Sequence, residues 1–173
     1  GGTLAALPAH SVGEDLQAYM LVIPGEQLAL IYDKWGPRLL EQNVRVFLQA
    51  RGNVNKGIRN TLANEPAMFL SYNNGISATA ESVTTRATAR GLEITHLTNL
   101  QIVNGGQTTA SVHAAMRAKV DLSRVFVQMK LSVIRPEITV DVVPKISQYA
   151  NTQNRVNAAD FFANHPYHVR IQD

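Results

Sequence analysis

The stretch LTNLQIVNGGQTTASV, residues 97 to 112, is the one around which the chain is organised. Its first half, Leu97 to Val103, is mostly apolar and predicts a buried strand. Asn104-Gly105-Gly106 then breaks the strand, and the small residues from about Thr108 predict a helix. A strand that ends in a glycine turn before a helix presents backbone N–H groups to an anion. We therefore predict a strand–glycine-turn–helix binding motif.

The turn offers a ligand only amide and hydroxyl side chains. They belong to Asn104, Gln107, Thr108 and Thr109, and no acid or base lies among them. The glycine pair lets a ligand approach the main chain closely, although the same residues also suit an ordinary connection between a strand and a helix. The turn has neither the Gly-Lys-Ser/Thr ending of a Walker loop nor the third glycine of a dinucleotide fingerprint. This chemistry favours recognition over proton transfer.

The composition is that of a globular protein, with 45% hydrophobic and 17% charged residues among 173. We predict an α+β fold in which a mixed β-sheet packs with helices. Residues 1–15 have no sustained period and predict a flexible arm or linker. Residues 16–173 are expected to form a single domain, and the abrupt ends of the chain suggest a fragment of a longer protein.

The charge and the residue types narrow the range of partners. A net charge of +3 leaves nucleic acid open as a partner without establishing a basic surface. The absence of cysteine excludes disulfides and thiolate catalysis and fits a reducing compartment, so we expect a cytoplasmic protein. No apolar run approaches the roughly 20 residues of a membrane span, and no membrane partner is expected.

A basic and amide-rich cluster precedes the central stretch. Ile58 and Leu62, four residues apart, predict a helix whose polar side carries basic residues. A solvated charged face is one interpretation. Contact with phosphate is the other, because arginine offers a bidentate fork and lysine a point charge. The predicted phosphate-binding residues are Arg45, Asn55, Lys56 and Arg59.

A second cluster surrounds an Asn-Asn-Gly sequence. Phe69–Tyr72 is apolar enough to predict a strand, and Asn73-Asn74-Gly75 predicts the turn of a hairpin. A hairpin turn needs only the Asn-Gly pair, so the first asparagine is unexplained. Asn73 and Asn74 are therefore candidates for binding a ligand.

The third cluster is the richest in amides. The pattern from Ile138 to Ala150 favours a helix, which Pro144 would either start or kink. Residues 148–157 then carry five amide side chains in ten positions. Carboxamides both donate and accept hydrogen bonds, so such a cluster suits base edges, ribose hydroxyls or peptide groups. The candidates are Asn151, Gln153 and Asn154.

Five motifs lie in order along the chain: Asn43-Val44-Arg45; Asn55–Ile58 with Thr61-Leu62; Tyr72–Ile76; Ile102–Thr108; and Tyr149–Val156 with Asp160-Phe161. Together they resemble the AIPR family, the abortive-infection phage-resistance proteins, from about Ala18 to the end of the chain. That family belongs to anti-phage gene neighbourhoods of bacteria and archaea. The resemblance implies a role in phage defence in a prokaryote, with DNA, RNA, a nucleotide or other phage-defence proteins as partners.

A more distant similarity concerns the central turn. The pattern of residues 102–112 is similar to DGQHR-type and ParB-type boxes, in which a strand–Gly–Arg–helix turn contacts nucleotide phosphates. Asn104 replaces the acid of those boxes, and no arginine follows Gln107. The charged groups of nucleotide hydrolysis are thus missing, while phosphate or nucleobase binding is left open.

Three functions remain open at this point. The first is a phage-defence domain that recognises nucleic acid or a nucleotide in one cleft; in that case Gly106→Val should block the ligand while the fold survives. The second is a metal-dependent nuclease or nucleotide-processing enzyme, and the third is a protein-interaction domain. The predicted ligand-binding residues of the first are Asn73, Asn74, Asn104, Gly105, Gly106, Gln107, Thr108, Asn151, Gln153 and Asn154.

The enzyme alternative has weak support in the residues. Glu65, Asp141 or Asp160 would have to ligate its metal, and single scattered carboxylates do not make a two-metal site. His165 and His168 lie three apart without a third ligand, so we predict no metal site. The sequence leaves catalytic residues, cofactor and oligomeric state open.

Overall fold

A seven-stranded mixed sheet with helices packed against it forms the fold, which confirms the predicted α+β class. The computed structural model describes residues 4–8, 16–52 and 54–160, with the backbone alone for Pro8, Arg51 and residues 151–160. The strands are β1 (Leu4–Pro8), β2 (Leu16–Pro24), β3 (Ile76–Ala80), β4 (Ser82–Thr88), β5 (Gly91–Thr98), β6 (Gln101–Asn104) and β7 (Phe126–Ile134). The helices are α1 (Gly25–Trp35), α2 (Gln42–Arg51), α3 (Lys56–Asn64), α4 (Phe69–Tyr72), α5 (Gly106–Arg117) and α6 (Pro136–Asp160), with 3-10 turns at Gly36–Leu39 and Pro66–Met68.

The strand order is β4-β5-β1-β2-β7-β3-β6. Neighbouring strands are antiparallel except for β3 and β7, which pair in parallel. The parallel pair places β3 and β6 at one edge of the sheet, where the chain then enters α5. The predicted succession of strand, glycine turn and helix is thus present as β6, Gly105 and α5.

Strand β7 shows how the sheet is covered. Its alternate residues Val127, Met129 and Leu131 are buried in the main core, which also holds residues of α1, α3 and α5. Ile134 points to the opposite face and packs with Val103 of β6 and with α6. The strand is therefore buried on both faces only at its end, under α6.

Five residues of the predicted arm belong to the sheet, and residues 1–3 and 9–15 lie outside the described residues. Leu4–Pro8 forms β1, which lies between β2 and β5 inside the sheet. Leu4 and Ala6 are buried while Ala5 and Leu7 are exposed, which is the period-two pattern of a half-buried strand. Five residues are too short for this alternation to stand out in a sequence rich in alanine and proline.

The segment around Asn73 also differs from its prediction. Phe69–Tyr72 is a helical turn and not a strand, so residues 73–75 connect α4 to β3 and do not form a hairpin turn. The 3-10 turn at Pro66–Met68 leads directly into α4, and Phe69 is fully buried. The partners of β3 are the distant strands β6 and β7, which no local pattern shows.

Helix α6 begins at Pro136 and continues through Pro144. Proline is favoured in the first turn of a helix because the N–H that it lacks would have no partner there. Pro144 is exposed, so the carbonyl that loses its intrahelical donor can bond to water. Among the described residues, no helix is both long and apolar enough to cross a lipid bilayer.

Helix α1 is linked to α5 by contacts of Tyr32 and Asp33 with His113. Nε2 of His113 lies 2.8 Å from Oδ1 of Asp33, and the ring of Tyr32 meets that of His113 edge-on at 5.1 Å. The hydrogen bond with His113 lowers the pKa of Asp33 from its ordinary value of 3.8. A lowered carboxylate pKa stabilises the fold above the ordinary pKa, and that contribution is lost as the pH falls through the lowered value.

We expect Asp33→Asn to lower the melting temperature slightly at pH 7, and this effect to diminish as the pH falls from about 3.8 through the lowered pKa of Asp33. Thermal melts of both proteins across pH 2–7 measure the difference. Asp141→Asn, which removes an exposed carboxylate from α6, is the charge-matched control. A deficit that stays constant down to pH 2 would contradict the role given to this pair.

Candidate binding cleft

A cleft of about 920 Å³ opens where the segment before β3 meets the start of α5. Its size is at the upper end of the range of small-molecule sites. The lining residues come from the helices α2 to α6, from the α4–β3 connection, from the Gly105 turn and from the strands β3, β6 and β7. They are Asn43, Val44, Phe47, Leu48, Ile58, Tyr72, Asn73, Asn74, Gly75, Ser77, Asn104, Gly105, Gly106, Gln107, Thr108, Lys130 and Ala150.

The N-terminus of α5 forms part of the cleft. Gly105 precedes the helix with φ of 87° and ψ of 26°, a left-handed conformation that suits glycine. The first intrahelical bond runs from the N–H of Thr109 to the carbonyl of Gly105, at 3.1 Å. The N–H groups of Gly106, Gln107 and Thr108 precede it and have no acceptor within the helix. All three residues line the cleft.

The two glycines are also enclosed by the fold. A Cβ on Gly105 would lie 2.7 Å from Cγ2 of Ile76, and one on Gly106 would lie 2.7 Å from Cγ1 of Val44. The pair is thus held between α2 on one side and the α4–β3 connection on the other. The expectation that Gly106→Val leaves the fold intact is therefore wrong, because the added side chain would collide with α2.

Asn73 joins the Asn-Asn-Gly segment, residues 73–75, to the start of α5. Its Oδ1 accepts a hydrogen bond from the N–H of Gly75 at 2.8 Å. Its Nδ2 donates to Oγ1 of Thr108 at 3.1 Å, and that hydroxyl lies 3.3 Å from Oδ1. These bonds give the otherwise unexplained asparagine a structural role, since it fixes the α4–β3 connection against the start of α5.

A polar row crosses the sheet into the cleft. The register pairs Asn104 of β6 with Ser77 of β3, and Ser77 with Lys130 of β7. All three residues line the cleft, and among the described residues that line it Lys130 is the only charged one. Neither Lys130 nor Ser77 was predicted from the sequence as a site residue. The alternation of Gln128, Lys130 and Ser132 with buried residues was the signal for a polar face on β7.

Four amide side chains of the cleft are available to a ligand. Asn43, Asn74, Asn104 and Gln107 line it, and within the described part of the chain their side chains have no hydrogen-bond partner. Asn43 was not predicted as a site residue, nor were the aromatic residues Phe47 and Tyr72. Asn43 and Tyr72 could have been found because they belong to the motifs Asn43-Val44-Arg45 and Tyr72–Ile76. Phe47 belongs to neither motif.

The predicted phosphate-binding residues lie outside the lining of the cleft. Arg45 donates from Nε to the carbonyl of Pro37 and from Nη2 to that of Leu40, both at 3.1 Å. Asn55 caps α3, its Oδ1 accepting from the N–H of Ile58 at 3.1 Å. Lys56 and Arg59 are exposed on the same helix, whose Ile58 lines the cleft.

The third amide cluster starts at the edge of the cleft. Ala150 of α6 is part of the lining, and the helix continues through the next ten residues. The side chains of Asn151, Gln153 and Asn154 lie outside the described residues. Where they point therefore stays a prediction.

Glu65 and Asp141, the candidate metal ligands whose side chains the structure describes, lie on separate elements of the fold. In the portion of the chain that the structure describes, no three side chains of His, Asp or Glu come together as a metal would require. Oε2 of Glu65 accepts a hydrogen bond of 3.4 Å from the hydroxyl of Tyr72, and Asp141 is exposed on α6. The side chain of Asp160, and His165 and His168, lie outside the described residues.

Comparison with known proteins places the chain in a family. Residues 40–173 match the family model described as AIPR protein, so the match includes every element that lines the cleft. No curated protein and no solved structure matches the chain. The similarity to DGQHR-type and ParB-type boxes is not supported by these comparisons and stays a prediction. With most of its length matched, the chain belongs to the AIPR family, the abortive-infection phage-resistance proteins.

Proposed function

We propose that this chain is the recognition domain of a phage-defence protein and that it binds nucleic acid or a nucleotide in the cleft. One observation carries the proposal: four amide side chains without partners in the described part surround the N-terminus of α5 and one lysine. Amides of this kind can read the donors and acceptors of base and sugar edges.

The start of α5 and Lys130 supply the contacts that a phosphate needs. The N-terminal end of a helix carries a partial positive charge, and its first N–H groups point at an anion. Lys130 adds a full positive charge at the exposed end of the polar row. Arg45 and Asn55 were predicted to contact phosphate, but their polar groups bond within the fold. In this proposal Lys130 makes the phosphate contact in their place. Lys56 and Arg59 would add charge at the rim.

The test of this proposal is equilibrium binding of labelled oligonucleotides and of nucleotides across a salt series. We expect Lys130→Ala to weaken binding of a single strand by about threefold to tenfold at ~50 mM salt and to lower the salt slope by about 0.7. Its effect should shrink at high salt because an exposed charge is screened. Lys34→Ala removes one exposed charge from α1, outside the cleft, and should leave binding unchanged.

Gln107→Ala should behave differently from Lys130→Ala. Its neutral contacts are expected to change the preference among the four bases by about tenfold, with the salt slope unaltered. Gln49→Ala, an exposed amide of α2 outside the cleft, is the matched control. If the wild-type chain binds no nucleic acid and no nucleotide, the proposal fails and the protein-interaction alternative leads. Metal-dependent cleavage that Asp160→Ala abolishes would favour the enzyme alternative.

A further inference from the structure

A second cavity, of about 540 Å³, lies at the other end of β3 and β6 from the binding cleft. Ser77 and Asn104 line the cleft, whereas Thr79, Ala80 and Gln101 of the same two strands line this cavity. Its size falls within the range of small-molecule sites. Aliphatic side chains from helices and strands form much of its wall: Ile31, Leu39, Leu97, Leu100, Ile134 and Val143.

Thr79 places a buried hydroxyl in this cavity. The residue is only 4% exposed, and its hydroxyl has no hydrogen-bond partner within the described part of the chain. Every fully enclosed side-chain nitrogen or oxygen among the described residues does have a partner. The hydroxyl of Thr79 is therefore not fully enclosed, and it opens to the cavity that the residue lines. Because buried polar groups are normally bonded, this hydroxyl is available to a molecule in the cavity.

Gln101 adds a carboxamide beside that hydroxyl. The register pairs Gln101 of β6 with Thr79 of β3, and residues opposite each other in an antiparallel pair have their Cβ atoms about 5 Å apart on one face. Gln101 is half-buried, and no residue of the described part bonds to its side chain. A hydroxyl and a carboxamide can each donate and accept. Together they offer adjacent donors and acceptors within an aliphatic wall.

This pair suits a neutral group better than a charged one. Of the charged residues in the lining, Glu81 accepts a hydrogen bond from Nδ2 of Asn99 at 2.7 Å, and Arg38 is exposed, where solvent screens its charge. An ion buried beside Thr79 and Gln101 would lose its hydration to two neutral partners. A neutral polar group needs only the hydrogen bonds that the pair can make.

We propose that this cavity binds a small, mainly apolar molecule through a neutral group with adjacent donor and acceptor atoms, such as a primary carboxamide. The aliphatic wall takes the apolar body of the molecule, and Thr79 and Gln101 bind its polar group. The site is separate from the cleft, so this inference does not depend on the proposed function.

The experiment titrates the 173-residue chain with benzamide and follows the backbone amide shifts by NMR. We expect a Kd of about 1 mM, an ordinary value for so small a ligand, with the largest shifts at residues 79–81 and 99–101. Toluene, benzoate and benzylamine keep the ring but carry a methyl group, an anion or a cation in place of the amide. Each should bind about fivefold more weakly than benzamide, or less tightly still.

Two variants test the polar pair directly. Thr79→Val removes the hydroxyl and Gln101→Met removes the carboxamide, both at nearly constant side-chain volume. We expect each to weaken benzamide binding by about threefold to tenfold and to leave toluene binding unchanged, a difference that damage to the fold would not produce. The matched control is Thr84→Val, on an exposed residue of β4 outside the cavity, which should bind benzamide like the wild type.

Several results would overturn this inference. They are the absence of benzamide binding, shifts centred on the cleft and not on Thr79, and equal binding of benzamide and any of the three other probes. Wild-type affinity for benzamide in both Thr79→Val and Gln101→Met would overturn it as well.

Discussion

Gly75→Ala is expected to destabilise the protein by about 3 kcal/mol and to abolish binding with it. Gly75 has φ of 78°, a left-handed conformation that an alanine adopts only with strain. A Cβ there would lie 2.4 Å from the carbonyl oxygen of Gln128, which is backbone and has no rotamer to change. The substitution would push the α4–β3 connection off β7 and displace Asn73 from Thr108.

Urea denaturation of Gly75→Ala measures this loss as a shift in the midpoint. Gly52→Ala separates its two causes, because Gly52 has φ of 88° and nothing within 4 Å of the added Cβ. We expect Gly52→Ala to cost about 1 kcal/mol, the backbone strain alone. Equal losses for the two variants would contradict the close approach between the connection and β7.

Glu41→Ala is expected to cost about 2 kcal/mol of unfolding free energy. Glu41 is buried, and its Oε2 caps α2 by accepting from the N–H of Asn43 at 2.9 Å and of Val44 at 3.4 Å. The same oxygen accepts from the hydroxyl of Ser147 on α6 at 3.4 Å. One carboxylate thus connects the helix that carries Asn43 and Phe47 to α6, which carries the third amide cluster.

Glu41→Gln is the control for this prediction, because its amide oxygen can still accept hydrogen bonds from the N–H groups of Asn43 and Val44. We expect it to lose less than half of what Glu41→Ala loses, as measured by chemical denaturation at pH 7. Similar losses for both variants would show that the negative charge, and not the cap, stabilises the start of α2.

The central motif could be predicted from the sequence because its signals are local. An apolar run, two glycines and a series of small residues follow one another, and they form β6, Gly105 and α5 as predicted. Strand β7 also has a local signal, since it is dense in β-branched and apolar residues. The ordered motifs also sufficed to identify the AIPR family, which the family match confirms.

Contacts that have no local signal in the sequence could not be predicted. Asn73 looked like part of a hairpin turn, yet its partner Thr108 lies 35 positions away. Arg45 was predicted to bind phosphate, yet it donates to the carbonyls of Pro37 and Leu40. These acceptors are backbone groups, which every residue has, so the sequence does not show which of them an arginine will bond. Lys130 comes into the cleft only because β3 lies beside β7.

The most direct test of the proposed cleft is an NMR titration of the 173-residue chain with a short single-stranded oligonucleotide, followed through backbone amide shifts. The first N–H groups of α5 and the α4–β3 connection should respond if a nucleotide binds between them. We expect the largest shifts at Asn74, Gly106, Gln107 and Lys130. Shifts confined to a second cavity beside Trp35 and Leu100, or to the exposed side of α3, would contradict it.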